Sequence, residues 1–171
     1  MAQHGNNPAV TQYMSLSFPS PYTQEVARGW INMNLAPPFL NWGICEASAP
    51  DVIIGGLGLK PGSDVQAHVA EFGFWIGQAF WGKGYGSEAL EGLTEWCFTG
   101  DFRMGGKEVK RLWAVIFEGN KGSMRCFEKC GYFPEGVMKG AVEKWGKVLD
   151  LYIFGLTKTD WEAKRASTAE S

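Results

Sequence analysis

The stretch Phe74-Trp-Ile-Gly-Gln-Ala-Phe-Trp-Gly-Lys-Gly-Tyr-Gly-Ser-Glu-Ala-Leu90 constrains this chain more than any other. Its first residues are apolar and suit a strand. Glycines then stand at alternate positions, Gly82, Gly84 and Gly86. Beyond them Ala89, Leu90, Leu93, Trp96 and Cys97 recur every three or four residues, the spacing of one helix face. A strand that passes through glycines into a helix is suited to bind an anion. Glycine lets the backbone approach a ligand and take up positive φ. The first helical turn has N–H groups without helical partners and a partial positive charge. Together they hold phosphate, and Lys83 adds a full positive charge beside them. The spacing excludes two common phosphate loops. A P-loop requires Gly-x-x-x-x-Gly-Lys-Ser/Thr, and no Lys-Ser or Lys-Thr pair follows these glycines. A dinucleotide fold requires Gly-x-Gly-x-x-Gly and an acidic residue about twenty positions later. This loop runs Gly-x-Gly-x-Gly.

The 171 residues suit one domain with a sizeable core, spanning 1–171 with residues 1–7 and 161–171 loose. Hydrophobic residues make up 45% and charged residues 20%, the balance of a soluble globular protein. No apolar run reaches the roughly 18 residues of a membrane span. No charged-then-apolar signal segment opens the chain. A cytoplasmic location without a membrane partner is therefore expected. The net charge of −2 gives no electrostatic footprint for nucleic acid. Cys45, Cys97, Cys126 and Cys130 read as reduced thiols. Cys126 and Cys130 would share a helix face, but a metal site needs more ligands, and the histidines are His4 and His68. No metal is expected.

In order, Thr23 is placed to cap a helix over 24–33, which Pro37-Pro38 follows. Strands are expected at Trp42–Ala47, Val52–Lys60 and Val69–Ile76, with turns at Ala49-Pro50-Asp51 and Pro61–Asp64. A helix over 87–98 follows the glycine loop. Thr99–Lys107 reads as a connection, Arg111–Phe117 as a buried strand and Asn120–Cys130 as a short helix stopped by Gly131. Strands at Tyr132–Val142 and Lys147–Leu156 flank a turn at Trp145-Gly146. The order is α+β, with a mostly antiparallel sheet.

Two segments carry a family resemblance. Trp81-Gly82-Lys83-Gly84-Tyr85-Gly86 resembles the acetyl-CoA pyrophosphate loop of the GNAT acetyltransferases, Gln/Arg-x-x-Gly-x-Gly/Ala, with Trp81 in place of the usual Gln or Arg. Asn120-Lys-Gly-Ser123-Met-Arg-Cys-Phe127-Glu-Lys-Cys130-Gly131-Tyr132 is similar to the Asn-x-x-Ser-x-x-x-x-Glu-Lys-x-Gly-Phe segment of the Rim-type branch, which acetylates protein N-termini. The two occur in the family's order, one helix and one strand apart. Ile54–Leu59, Glu71–Ile76 and Lys147–Leu156 look like further family strands, so the resemblance runs from about Pro8 to Leu156.

The resemblance implies a mostly antiparallel mixed sheet, splayed between the family's fourth and fifth strands and flanked by helices. It implies an N-acetyltransferase that moves an acetyl group directly from acetyl-CoA to a primary amine, on a protein N-terminus or a small molecule. The alternative is a degenerate module that binds acyl-CoA without turnover. Backbone groups at Trp75, Ile76 and Gly77 would pair with the pantetheine arm. The amides of Trp81, Gly82, Lys83, Gly84, Tyr85, Gly86 and Ser87 would hold the pyrophosphate. Asn120, Ser123 and Phe127 would complete the cofactor site. Ser123 is the candidate proton donor to the departing thiolate, although it could equally be an ordinary first-turn serine. Asn120 could serve simply as a helix N-cap. Glu71 resembles the general base of the histone-acetylating members. A carboxylate set in an apolar strand is poorly solvated in its charged form, which suits a proton acceptor. Its bland alternative is a solvated, edge-facing charge.

Family members of this type usually open with a strand and a helix before a segment like Asn7-Pro8-Ala-Val10. That first strand is expected to be missing here. Trp42–Ala47 would then be an apolar sheet edge, covered by the N-terminal segment or by a second copy in a homodimer, or else left as a liability.

Overall fold

The computed structural model describes residues 1–100 and 102–169. Six strands form one mixed sheet: β1 (Asn41–Glu46), β2 (Ala49–Pro61), β3 (Val69–Ile76), β6 (Arg111–Phe117), β7 (Phe133–Lys144) and β8 (Lys147–Thr157). Their order is β1-β2-β3-β6-β8-β7, while β4 (Arg103–Met104) and β5 (Lys107–Glu108) make a separate ribbon. The helices are α1 (Ala2–Gly5), α2 (Pro8–Thr11), α3 (Gln24–Met33), α4 (Tyr85–Thr99), α5 (Lys121–Lys129) and α6 (Lys158–Ala169). The sheet is mostly antiparallel, as expected from the order of elements. Its parallel ladder joins β3 to β6 at Val69–Arg111, Ala70–Leu112 and Glu71–Trp113, the N-terminal ends of both strands. The chain gathers into two compact units. One is Met1–Leu59 with Gly73–Gly86, and the other is Lys60–Phe72 with the residues from Ser87 onward.

The first unit packs around aromatic rings. Trp75 of β3 is buried, with Phe18 edge-on to it at 5.7 Å, and Phe18 stacks on Tyr22 at 4.5 Å. The α3 helix starts as its sequence predicts, with Thr23 Oγ1 accepting from the Val26 N–H at 3.2 Å. Residues 1–7, expected to be loose, instead hold α1. The His4 ring meets Phe80 edge-on at 5.1 Å, and Asn6 Oδ1 accepts from the Tyr22 N–H at 3.0 Å. Asn7 caps α2 and also donates from Nδ2 to Gln78 Oε1 at 2.9 Å. No strand is supplied by residues 1–20, and β1 stands at the end of the sheet order. The turn expected at Ala49–Asp51 falls at Ala47–Ser48 instead. Register shifts at Ile44/Cys45 and Cys45/Glu46 carry the β1–β2 pairing on to Glu46–Ala49.

The second unit shows regular periodicities. Alternate residues Leu112, Ala114 and Ile116 of β6 are buried, the two-residue period of a strand. Leu90, Leu93, Thr94, Cys97 and Phe98 of α4 are buried at helical spacing. Trp96, expected on that face, lies outside it, 41% exposed and against Phe102. The connection at 99–107 contains the β4–β5 ribbon, turned by Gly105 and Gly106, both at positive φ; Asp101 is outside the described residues. The tail expected to be loose from Trp161 is α6. Trp161 packs on Phe98 at 5.7 Å, and Arg165 pairs with Glu95 at 2.8 Å. Residues 170 and 171 lie outside the described range.

Candidate active site

In the first unit, β3 delivers the chain into the glycine loop. After Ile76 comes Gly77, a 3-10 turn at Gln78–Phe80, then Trp81 to Gly84, all four exposed. Gly82 has φ +73° and Gly84 φ +91°, a region that residues with a Cβ rarely enter. A Cβ at either position would meet no heavy atom within 4 Å. The glycines therefore serve conformation and access rather than packing. The α4 helix opens at Tyr85, directly after Gly84, which has no side chain with which to cap it. Lys83 Nζ lies 5.2 Å from the centre of the Phe80 ring, close enough for a cation–π contact that leaves the charge at the loop.

The unusual Trp81 has a defined task. Its Nε1 donates to the carbonyl of Ile76 at 2.7 Å, tying the start of the loop back to the end of β3. The Gly77 N–H is also engaged, donating to the Ile54 carbonyl at 2.8 Å. Trp75 and Ile76 have buried side chains, so a ligand would meet only their backbone. At the far end of the loop the Tyr85 hydroxyl donates to the Glu46 carboxylate. Nothing in the sequence flagged Glu46, because this contact spans 39 positions and depends on the β1 bulges.

In the second unit, Ser87 continues the first turn of α4, and its carbonyl accepts from the Cys130 thiol at 3.3 Å. Burial pushes that thiol up to about 11, with help from the nearby Glu91 carboxylate. Asn120 is the N-cap of α5, its Oδ1 accepting from the Ser123 N–H at 3.2 Å. Ser123 is half-buried, and its hydroxyl has no hydrogen-bond partner among the described residues. Phe127 is core, 2% exposed, with its ring against Tyr132 at 5.0 Å and Phe72 at 6.2 Å. Its side chain holds the position of α5 and offers no open face. Tyr132 is also buried, its hydroxyl 2.8 Å from Thr94 Oγ1. Glu71 is ion-paired with Lys60 at 2.8 Å and its side chain is 22% exposed. The bonds Gly62→Val69 and Gly77→Ile54 put Lys60 opposite Glu71 on the neighbouring strand. The hairpin turn at Pro61–Asp64, readable in the sequence, was the signal that could have revealed this partner.

A family model for the acetyltransferase (GNAT) domain matches residues 1–132. The chain belongs to the GNAT acetyltransferase family. Its sheet and flanking helices are the GNAT fold. The uncharacterized N-acetyltransferase p20 of Bacillus licheniformis is 27% identical over 166 residues, 94% of this chain and 87% of that protein. A GNAT-family acetyltransferase from Bacillus anthracis superposes with a TM-score of 0.77 at 20% identity, over 93% of this chain and 87% of that one. A ribosomal-protein-alanine N-acetyltransferase from Brucella melitensis gives a TM-score of 0.62 at 21% identity, over 78% of this chain and 77% of that one. At these identities the two structures speak for the fold alone. No described helix of this GNAT protein is long and apolar enough to cross a membrane.

Proposed function

We propose that this GNAT acetyltransferase takes its acetyl group from acetyl-CoA and passes it directly to a primary amine. The observation that carries the reading is the exposed loop with Gly82 and Gly84 at positive φ, running from β3 through Gly84 into the start of α4. The amides of Trp81 to Ser87 would surround the pyrophosphate, with Lys83 adding charge. The backbone at Trp75, Ile76 and Gly77 would meet the pantetheine arm. The amine must lose a proton, its nitrogen must bond to the acetyl carbon, and the carbon–sulfur bond must break. The thiolate then takes up a proton. Ser123 is the proposed donor of that proton, because its hydroxyl has no hydrogen-bond partner among the described residues. Asn120 would act by holding the turn that carries Ser123.

Glu71 is the proposed base, and that role requires Lys60 to release it. The ion pair is the one observation that favours the second reading, a module that binds acyl-CoA without turnover. The Rim-like segment from Asn120 to Tyr132 supports a protein N-terminus as acceptor over a small amine. The test has two arms. Acetyl-CoA at a hundredfold excess over its Kd should stabilise the fold by about 2.7 kcal/mol. Release of free CoA should then follow addition of peptides with free N-termini or of small amines. A protein purified free of CoA whose melt does not move with acetyl-CoA would overturn the reading. A melt that moves, with no release on any amine, would establish the binding module.

A further inference from the structure

The exposed glycines that suit the loop to a ligand also leave it without packing of its own. A Cβ at Gly82 or Gly84 would touch nothing, and Trp81 to Gly84 are exposed. Two side chains tie the ends of this segment to the first unit. Trp81 Nε1 holds the entrance to the Ile76 carbonyl, and the Tyr85 hydroxyl holds the exit to the Glu46 carboxylate. The second tie is built from distant parts. Tyr85 is the first residue of α4, so its backbone belongs to the first turn of that helix, while its side chain leaves that turn for β1. Glu46 ends β1 beyond two successive register shifts. Bulges at a strand end redirect the side chains that follow them. The Phe80 ring meets the Tyr85 ring edge-on at 6.3 Å and fixes its tilt.

We infer that Glu46 is a positioning residue for the cofactor loop. Through Tyr85 it holds the amides that follow Gly84 in the orientation that receives a diphosphate, and it keeps its own negative charge turned onto a hydroxyl. This rests on the acyl-CoA reading above. A hydrogen bond to a charged group, lost from one end of an otherwise unpacked loop, should cost about tenfold in affinity for a diphosphate ligand.

The experiment measures CoA binding by calorimetry, and amide exchange in the ligand-free protein, for wild type, Glu46→Ala, Tyr85→Phe, the double variant and Glu46→Gln. Glu46→Ala and Tyr85→Phe should each weaken CoA about tenfold and speed exchange at 82–87. The double variant should be no worse than either single one, because both remove the same bond. Glu46→Gln, whose amide oxygen still accepts from the hydroxyl, should recover most of the affinity. Additive losses would overturn the inference, as would affinities within about twofold of wild type. So would a tenfold loss with unchanged exchange at 82–87, or with faster exchange throughout the first unit. A wild-type protein that does not bind CoA would instead count against the function proposed above, which keeps the two failures apart.

Discussion

The starts of α4 and α5 are built in opposite ways. The α5 helix satisfies itself: Asn120 folds its side chain back and accepts from the Ser123 N–H. The α4 helix is entered through Gly84, which has no side chain to turn back, and through a loop that needs positive φ at two points. Both starts have the same orphan donors and the same partial positive charge. A capped start uses its donors within the protein. A glycine-fed start has no side chain of its own to turn onto those donors, and here the loop is tied from outside, Trp81 on Ile76 and Tyr85 on Glu46. On the function proposed above, the difference would leave α4 to hold the donor's phosphates and α5 to present one hydroxyl, that of Ser123.

The substitution expected to do most damage is Gly84→Asp. It forces a residue with a Cβ to φ +91° and sets a carboxylate where phosphate should lie. CoA affinity measured by calorimetry should fall at least about a hundredfold. The ligand-free melt should move only a few degrees, since the position is open. Unchanged affinity would break the contrast between the two helix starts.

Ser123→Ala tests the other side. The hydroxyl is expected to protonate the leaving thiolate, so kcat should drop about a hundredfold while CoA affinity holds. A drop in affinity with kcat preserved would move Ser123 from proton donor to cofactor contact.

Asn120→Ala should be milder. Losing the cap should cost about 1 kcal/mol of stability and lower Tm by about 2–4 °C. CoA affinity should stay within about threefold. An affinity loss larger than the stability loss would mean that Asn120 meets the cofactor itself, and the two starts would differ less than their geometry suggests.

The smallest effect concerns Cys130, which follows α5 and donates to the first turn of α4. Its thiol is held up to about 11, so thiolate is scarce at neutral pH. Alkylation there should be slow, rising about tenfold per pH unit until near that value. Cys45 is exposed and should react first, and Cys97, buried and pushed up to about 12, among the last. Mass spectrometry of timed alkylation would check the order. Rapid labelling of Cys130 at neutral pH would mean that the tie to Ser87 opens readily.

What could be read from the sequence was whatever local spacing determines. The glycine loop, the buried period of β6 and the Asn120 cap each involve residues within a few positions of one another. The α6 helix is not legible because it is held by long-range partners, Phe98 against Trp161 and Glu95 with Arg165, in an otherwise polar segment. The short helices α1 and α2 have too few residues for a periodic signal, and their ties are distant in sequence, Tyr22 and Phe80 for α1 and Gln78 on the Asn7 cap of α2. Phe127 stands out in the sequence by its place in a motif, and its packing in the core with Phe72 and Tyr132 is a long-range fact that the motif does not carry. Lys60 and Glu46, which set the surroundings of Glu71 and Tyr85, come into view only once strands are paired.

The contrast between the two helix starts can be measured directly by titrating CoA into isotopically labelled protein and following backbone amide resonances. The amides of Gly82 through Ser87 should shift most and protect against exchange, while the Ser123 amide, already bonded to Asn120, should move little. Large shifts at Ser123 and the rest of α5, with Gly82 through Ser87 unmoved, would contradict the assignment of α4 as the phosphate-binding start.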